Sequence, residues 1–169
     1  MNLTRTLIIG NSGAGKSWLA KRLAERLHVP WTDLDRVHWT SDECSIARPR
    51  PEALGMARVL ADEECWVIEG VYGWIVSEVI HRATALVWLC VDDENCVANI
   101  RQRENRPDND GLLIALLEWA GSYRAREDSS GFSAHRQLFE GFSGSKIKLM
   151  DRSEITAFVN PLSDSSHSV

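Results

Sequence analysis

Long apolar runs are missing from this 169-residue chain. The longest uninterrupted ones, Ala85 to Val91 and Leu112 to Leu117, fall far short of the roughly 20 residues that cross a bilayer, so no membrane helix is expected. Only Leu7, Ile8 and Ile9 precede the polar Gly10, Asn11 and Ser12, too little for a signal-peptide core, and the expected address is the cytoplasm. Cysteine is scarce and unpaired. Cys44, Cys65, Cys90 and Cys96 form no C-x-x-C, and Cys65 and Cys90 sit in strand-like apolar runs where thiols serve as small hydrophobes, so neither a disulfide nor a structural zinc is expected. Lysine is rare as well: Lys16, Lys21, Lys146 and Lys148 stand against 19 basic residues in all. The others are arginines, which are better forks for phosphate oxygens. A net charge of −5 and the lack of a basic helix argue against a general nucleic-acid surface.

What is present reads as alternating strands and helices. Thr4 to Ile9 is a β-branched, apolar run, and Leu19, Leu23 and Leu27 then recur at helical spacing. Further strands are expected at Trp31 to Asp35, Cys65 to Ile68, Ala85 to Val91 and Lys146 to Met150. Helices are expected at about Glu52 to Glu63, Trp74 to His81, Asp92 to Arg106 (stopped by Pro107), Leu112 to Arg126, Ser133 to Phe142 and Ser153 to Val159. Strands apolar on both faces and separated by helices mean an α/β fold, a five-stranded parallel sheet covered on both sides. Ligands of such sheets bind outside the carboxyl ends of the strands. One domain is expected over residues 1–159, followed by a flexible, Ser-rich tail at 160–169.

Residues 10–17, GNSGAGKS, match G-x-x-x-x-G-K-[ST]. A chance match in a chain this long has a probability of roughly one in two hundred, and this one follows an expected strand and opens an expected helix. The backbone of Gly10, Asn11, Ser12, Gly13, Ala14 and Gly15 would wrap its N–H groups around one anion at the positive end of a helix dipole. Lys16 would add a point charge at the β- and γ-phosphates, and Ser17 a hydroxyl for Mg²⁺. Trp18 occupies a position where many P-loop kinases carry Thr, leaving only its backbone N–H for phosphate.

Asp33 and Asp35, two apart on the expected strand, would point to one side near the ligand edge, Asp33 toward metal-bound water and Asp35 toward an acceptor hydroxyl. The same pattern fits solvated turn residues. Glu69 ends a buried strand in the manner of a metal-positioning acid, or as a structural cap. Asp92 and Asp93 read as helix N-caps. Arg101, Arg103 and Arg106 are expected to close one helix and Arg124 and Arg126 the next, framing a short lid at about 103–126. Arg101 would face the nucleotide, while Arg106, Arg124 and Arg126 would clamp the transferring group. The alternative is a solvated helix laced by Glu104, Glu118 and Glu127. His38, Trp39, Tyr72 and Trp74 either wall an acceptor site or simply pack.

GNSGAGKS with LAKRLAERL, WTDLDRVHW, WVIEGVY, RQRENRP and EWAGSYRAR resembles the DNA topology modulation (FlaR-like) group of adenylate-kinase-related P-loop proteins, from about Leu3 to Val159. The resemblance implies a nucleoside-monophosphate-kinase-like fold with strand order 2-3-1-4-5 and a short lid. By it, Asp33 and Asp35 echo the D-x-D of shikimate kinases, and Glu69-Gly70 the Asp-Gly of adenylate kinases. The expected function is a kinase that uses ATP and Mg²⁺ to phosphorylate a nucleotide or another small molecule. The alternative is a regulatory ATP-binding module acting through a protein partner. A GTPase switch is disfavoured because the chain has no N-K-x-D, and a nucleic-acid-acting ATPase ranks last.

Overall fold

The computed structural model describes residues 1–40, 46–103 and 110–160. Its strands are β1 (Arg5–Gly10), β2 (Trp31–Asp33), β3 (Trp66–Gly70), β4 (Ala85–Leu89) and β5 (Ser145–Leu149). Its helices are α1 (Lys16–Leu27), α2 (Asp35–His38), α3 (Arg50–Ala61), α4 (Gly73–Val79), α5 (Asp93–Arg101), α6 (Asp110–Gly121), α7 (Phe132–Gly141) and α8 (Arg152–Val159). All strand pairs are parallel, and the order is β2-β3-β1-β4-β5.

Strand alternation builds two cores, one on each face of the sheet. Ile8, Val67, Val87 and Leu89 point toward Leu19 and Leu23 of α1 and Ile155 and Val159 of α8. Leu7, Ile9, Ile68, Leu86 and Trp88 point the other way, toward Ala53 and Ala57 of α3, Ile75 and Val79 of α4, and Phe142. This is why β3 and β4 are buried at every position and read as unbroken apolar runs. The outer strand β5 carries Lys146 and Lys148 on its exposed part, which discourages pairing with another sheet.

Several boundaries differ from the sequence expectation. β2 stops at Asp33, and Asp35 opens a short helix instead of continuing the strand, because the Asp33 carboxylate accepts the Asp35 backbone N–H at 2.9 Å and turns the chain. The helix expected to reach Arg106 ends at Arg101, and the one expected to reach Arg126 ends at Gly121. Past Gly121 the chain turns through Tyr123 N–H to Ala120 carbonyl and Ala125 N–H to Ser122 carbonyl bonds, so that Tyr123 is fully buried. Arg103, Arg124 and Arg126 therefore follow helices and do not close them. The helix expected to run to His81 gives way to a 3₁₀ turn at Ile80–Arg82. Arg106, most of the residues between α5 and α6, and the expected tail from 161 lie outside the described residues. Among the described residues no helix is long and apolar enough to cross a membrane.

Candidate active site

The carboxyl ends of β1, β2 and β3 meet at one edge. β1 runs into the loop of residues 10–15 and then α1. Gly15 is the N-cap of α1, with no side chain capping the helix and no acid in its first turn; that arrangement leaves the amides and the dipole to an external anion. Gly13 has φ +84, and a Cβ there would lie 2.2 Å from the Cys96 carbonyl oxygen of α5. Gly15 has φ +95 with open space around it. We expect Gly13→Ala to cost about 2–4 kcal/mol, from left-handed strain plus overpacking, and Gly15→Ala only about 1 kcal/mol from strain. Urea denaturation of the two variants checks this.

The loop is braced by α5 and α6. Asn11 Nδ2 donates to the Ala120 carbonyl at 2.7 Å and Asn99 Nδ2 to the Gly13 carbonyl at 3.0 Å. Lys16 Nζ lies over the loop and donates to the Asn11 carbonyl at 3.0 Å. Sequence reasoning found neither asparagine contact, since both partners are backbone carbonyls distant in the chain. A cleft of about 670 Å³ opens beside the loop, lined among others by Trp18, Asn95, Arg103, Arg152 and Ile155, a volume suited to a small ligand.

Asp33 and Glu69 are in-register neighbours on β2 and β3 and so share a face of the sheet. Glu69 is 2% exposed, and its Oε1 has no hydrogen-bond partner. Burial pushes its carboxyl up to about 7, opposed by the Lys16 charge, with Asp33 adding to the rise and Ser17 opposing it. Asp33 is likewise raised, by burial first and Asp35 second. Gly70 beside them is a packing requirement: a Cβ there would come within 2.7 Å of the Leu34 side chain. Ser17, Asp33 and Glu69 present only oxygen, and an orphaned buried carboxylate oxygen among them suits Mg²⁺, which takes few protein ligands and keeps its waters. Among the described residues no cluster of three or more His, Cys, Asp or Glu is arranged to cage a metal.

That buried carboxyl has a measurable consequence. The folded group holds its proton up to about pH 7, while the unfolded one loses it near 4.5. Its stabilising contribution is thus full below pH 4.5 and lost as pH rises through 7. Glu69→Gln should make the metal-free protein more stable than the parent at pH 8, by about 1–3 kcal/mol. Urea denaturation with EDTA present measures the difference.

On the far side of these acids stands an aromatic wall. Tyr72 Oη donates to Asp35 Oδ1 at 2.6 Å, and Trp39 Nε1 donates to Tyr72 Oη at 2.9 Å. His38 packs against Tyr72, Trp39 and Trp74 with centroids 4.2, 4.4 and 5.9 Å away. The structure thus brings together the four aromatics singled out from sequence and ties one of them to Asp35, a link the sequence did not suggest.

The arginines are placed less simply. Arg124 Nη2 bonds Asp92 Oδ1 at 2.8 Å, and the Arg124 backbone N–H donates to Asp93 Oδ2 at 3.0 Å. Asp92 is the N-cap residue of α5, but its side chain makes no capping bond; Arg124 takes it instead. Arg126 has a 10% exposed side chain, lies 3.4 Å over the Trp119 ring and donates from Nη2 to the Ser130 carbonyl. Its Nε and Nη1 are buried without a hydrogen-bond partner, and burial lowers its pKa. Arg101 ends α5 in an exposed position.

No protein-family model matches the chain, and no curated protein does. Solved structures do. Shikimate kinase from Bacteroides thetaiotaomicron is 23% identical with a TM-score of 0.57, over 94% of this chain and 96% of that one. Shikimate kinase from Acinetobacter baumannii in complex with shikimate is 15% identical with a TM-score of 0.59, over 95% and 91%. A gluconokinase from Sinorhizobium meliloti 1021 is 15% identical with a TM-score of 0.52, over 99% and 100%. The fold is that of the P-loop kinases. Within this P-loop kinase fold, β1 leads through the glycine loop into the N-terminus of α1. The ends of β2 and β3 carry the acids, and the α2 and α4 segments carry the aromatic wall.

Proposed function

We propose that the chain is an ATP- and Mg²⁺-dependent kinase of a small molecule or nucleotide, with the acceptor hydroxyl seated against Asp35. The observation that carries this reading is the Trp39–Tyr72–Asp35 hydrogen-bond chain beside the buried acids. A carboxylate fixed through one oxygen keeps the other for an incoming hydroxyl, whereas a hydrolase has no use for an oriented acceptor wall.

The loop amides, Lys16 and the N-terminus of α1 hold the polyphosphate. Ser17, Asp33 and Glu69 are the oxygen set for Mg²⁺, which neutralises phosphate charge when bound. Asp35 orients the acceptor and accepts its proton as the new oxygen–phosphorus bond forms and ADP departs. Arg126, its Nη1 buried without a hydrogen-bond partner and its Nε paired at 3.9 Å with Asp128, and Arg124, on release from Asp92, supply positive charge to the transferring group, joined by Arg106; Arg101 serves the nucleotide. Membership of the FlaR-like group remains part of this reading, supported by the sequence segments that resemble it.

Phosphorus NMR of the protein with Mg·ATP, alone and with pooled nucleoside monophosphates, nucleosides, polyols and sugars, tests it. A new phosphoryl-acceptor resonance is expected, absent in Lys16→Ala. Slow release of ADP and inorganic phosphate alone, whatever is added, would overturn the kinase reading in favour of a module working through a protein partner.

A further inference from the structure

We infer that the Trp18 side chain is a stacking platform for the base of the nucleoside triphosphate, resting on the reading of the loop as a polyphosphate cradle. Trp18 is the third residue of α1, so its side chain leans back over the first turn, toward the loop. Its successors Leu19, Ala20, Leu23 and Ala24 are buried in the core, yet Trp18 is 40% exposed. It therefore takes no part in the packing that holds α1 to the sheet.

Trp18 lines the same cleft as Gly13, Ala14, Gly15 and Ser17, and it shares that cleft with Val91 and with Ile155 of α8. Arg22, one turn further along α1, sets its guanidinium 4.8 Å from the ring centroid, a cation–π contact that fixes the indole in place. A ligand matched to this cleft carries several negative charges at one end and a flat, apolar-faced ring at the other. A nucleoside triphosphate has that shape, and stacking against Trp suits any base, since every base offers a π-face. The neighbouring Asp151 carboxylate caps α8, taking the Glu154 N–H and the Ser153 hydroxyl on Oδ1. Where a hydroxyl at this position would add one phosphate contact, tryptophan moves the binding interaction to the base.

Calorimetric titration of the full chain with Mg·ATP and with Mg·tripolyphosphate, the latter lacking base and sugar, separates the two ends of the ligand. The parent is expected to bind ATP about tenfold more tightly than tripolyphosphate. Trp18→Leu should lose that advantage while holding tripolyphosphate within about twofold of the parent, and Trp18→Phe should recover most of it. Thermal unfolding of each variant confirms that α1 remains folded. Unchanged ATP affinity in Trp18→Leu would overturn the platform, as would an equal loss toward both probes, which would assign Trp18 to the phosphate end. A parent that binds tripolyphosphate as tightly as ATP refutes the platform and leaves the cradle standing. A parent that binds neither refutes both.

Discussion

Asp35→Asn is expected to lower the rate of phosphoryl transfer by about 10²–10⁴ while leaving ATP affinity within about twofold of the parent. Asparagine keeps the size and still accepts the Tyr72 hydroxyl hydrogen bond that the carboxylate accepts at 2.6 Å. What it lacks is the ability to take a proton from the acceptor. The cleft beside the loop, by contrast, is built from the loop, α1, α5 and α8, and Asp35 is not among its lining residues. Tyr72→Phe should act in the same direction but by about tenfold, because it frees the carboxylate to rotate without removing it. Steady-state assays with the acceptor that phosphorus NMR identifies, beside calorimetry with Mg·ATP, separate the two quantities. Transfer at the parental rate by Asp35→Asn would place the acceptor elsewhere. A matching loss of ATP affinity would show that the substitution had disturbed the loop.

The elements easiest to read in advance were those whose chemistry is local. The glycine loop needs its residues at fixed spacing, so Gly10 to Ser17 announce both the turn and the helix that follows. β3 and β4, buried on both faces, read as unbroken apolar strings. The Asp33–Asp35 strand pattern fails because a side-chain turn decides it: the Asp33 carboxylate on the next-but-one N–H bends the chain into a helix start, and periodicity is blind to that. The helix end before Arg124 was missed for a tertiary reason, since burial of Tyr123 outweighs the helical propensity of the residues that follow it. The contacts that tie the site together, Tyr72 to Asp35 and Asn11 to Ala120, join residues 37 and 109 positions apart, and no local pattern encodes such pairs. His135 gave no signal at all.

His135 is fully buried, and its environment makes the protein sensitive to acid in a way one substitution isolates. Its Nε2 faces the Val71 carbonyl at 2.9 Å; a carbonyl only accepts, so Nε2 carries the hydrogen. Nδ1 is then the acceptor for the Tyr123 hydroxyl at 2.7 Å, and Tyr123 in turn accepts from Trp88 Nε1 at 3.1 Å. A proton added at Nδ1 would face a donor, inside the core. Burial accordingly pushes the imidazole down to about 4, with the Val71 carbonyl opposing and the Lys16 and Arg126 charges adding to the fall. The unfolded residue takes its proton near 6.5, so the stability from keeping His135 neutral is complete above that pH and is lost as pH falls toward 4, about 3 kcal/mol in all. Glu69 changes the slope with the opposite sign over much of the same range, so the parent's own pH curve cannot reveal the effect; a difference between parent and variant can. His135→Leu should be about 2–4 kcal/mol less stable than the parent at pH 7, because Val71 and Tyr123 lose their partner. That gap should narrow steadily by pH 4.5, as read by urea denaturation at several pH values. A gap that stays constant would mean that His135 titrates normally. Protonation at Nδ1 costs the Tyr123 hydroxyl bond and leaves the Nε2–H bond to the Val71 carbonyl in place, so the strain falls on the Tyr123 side of the core and not on the segment that carries Tyr72.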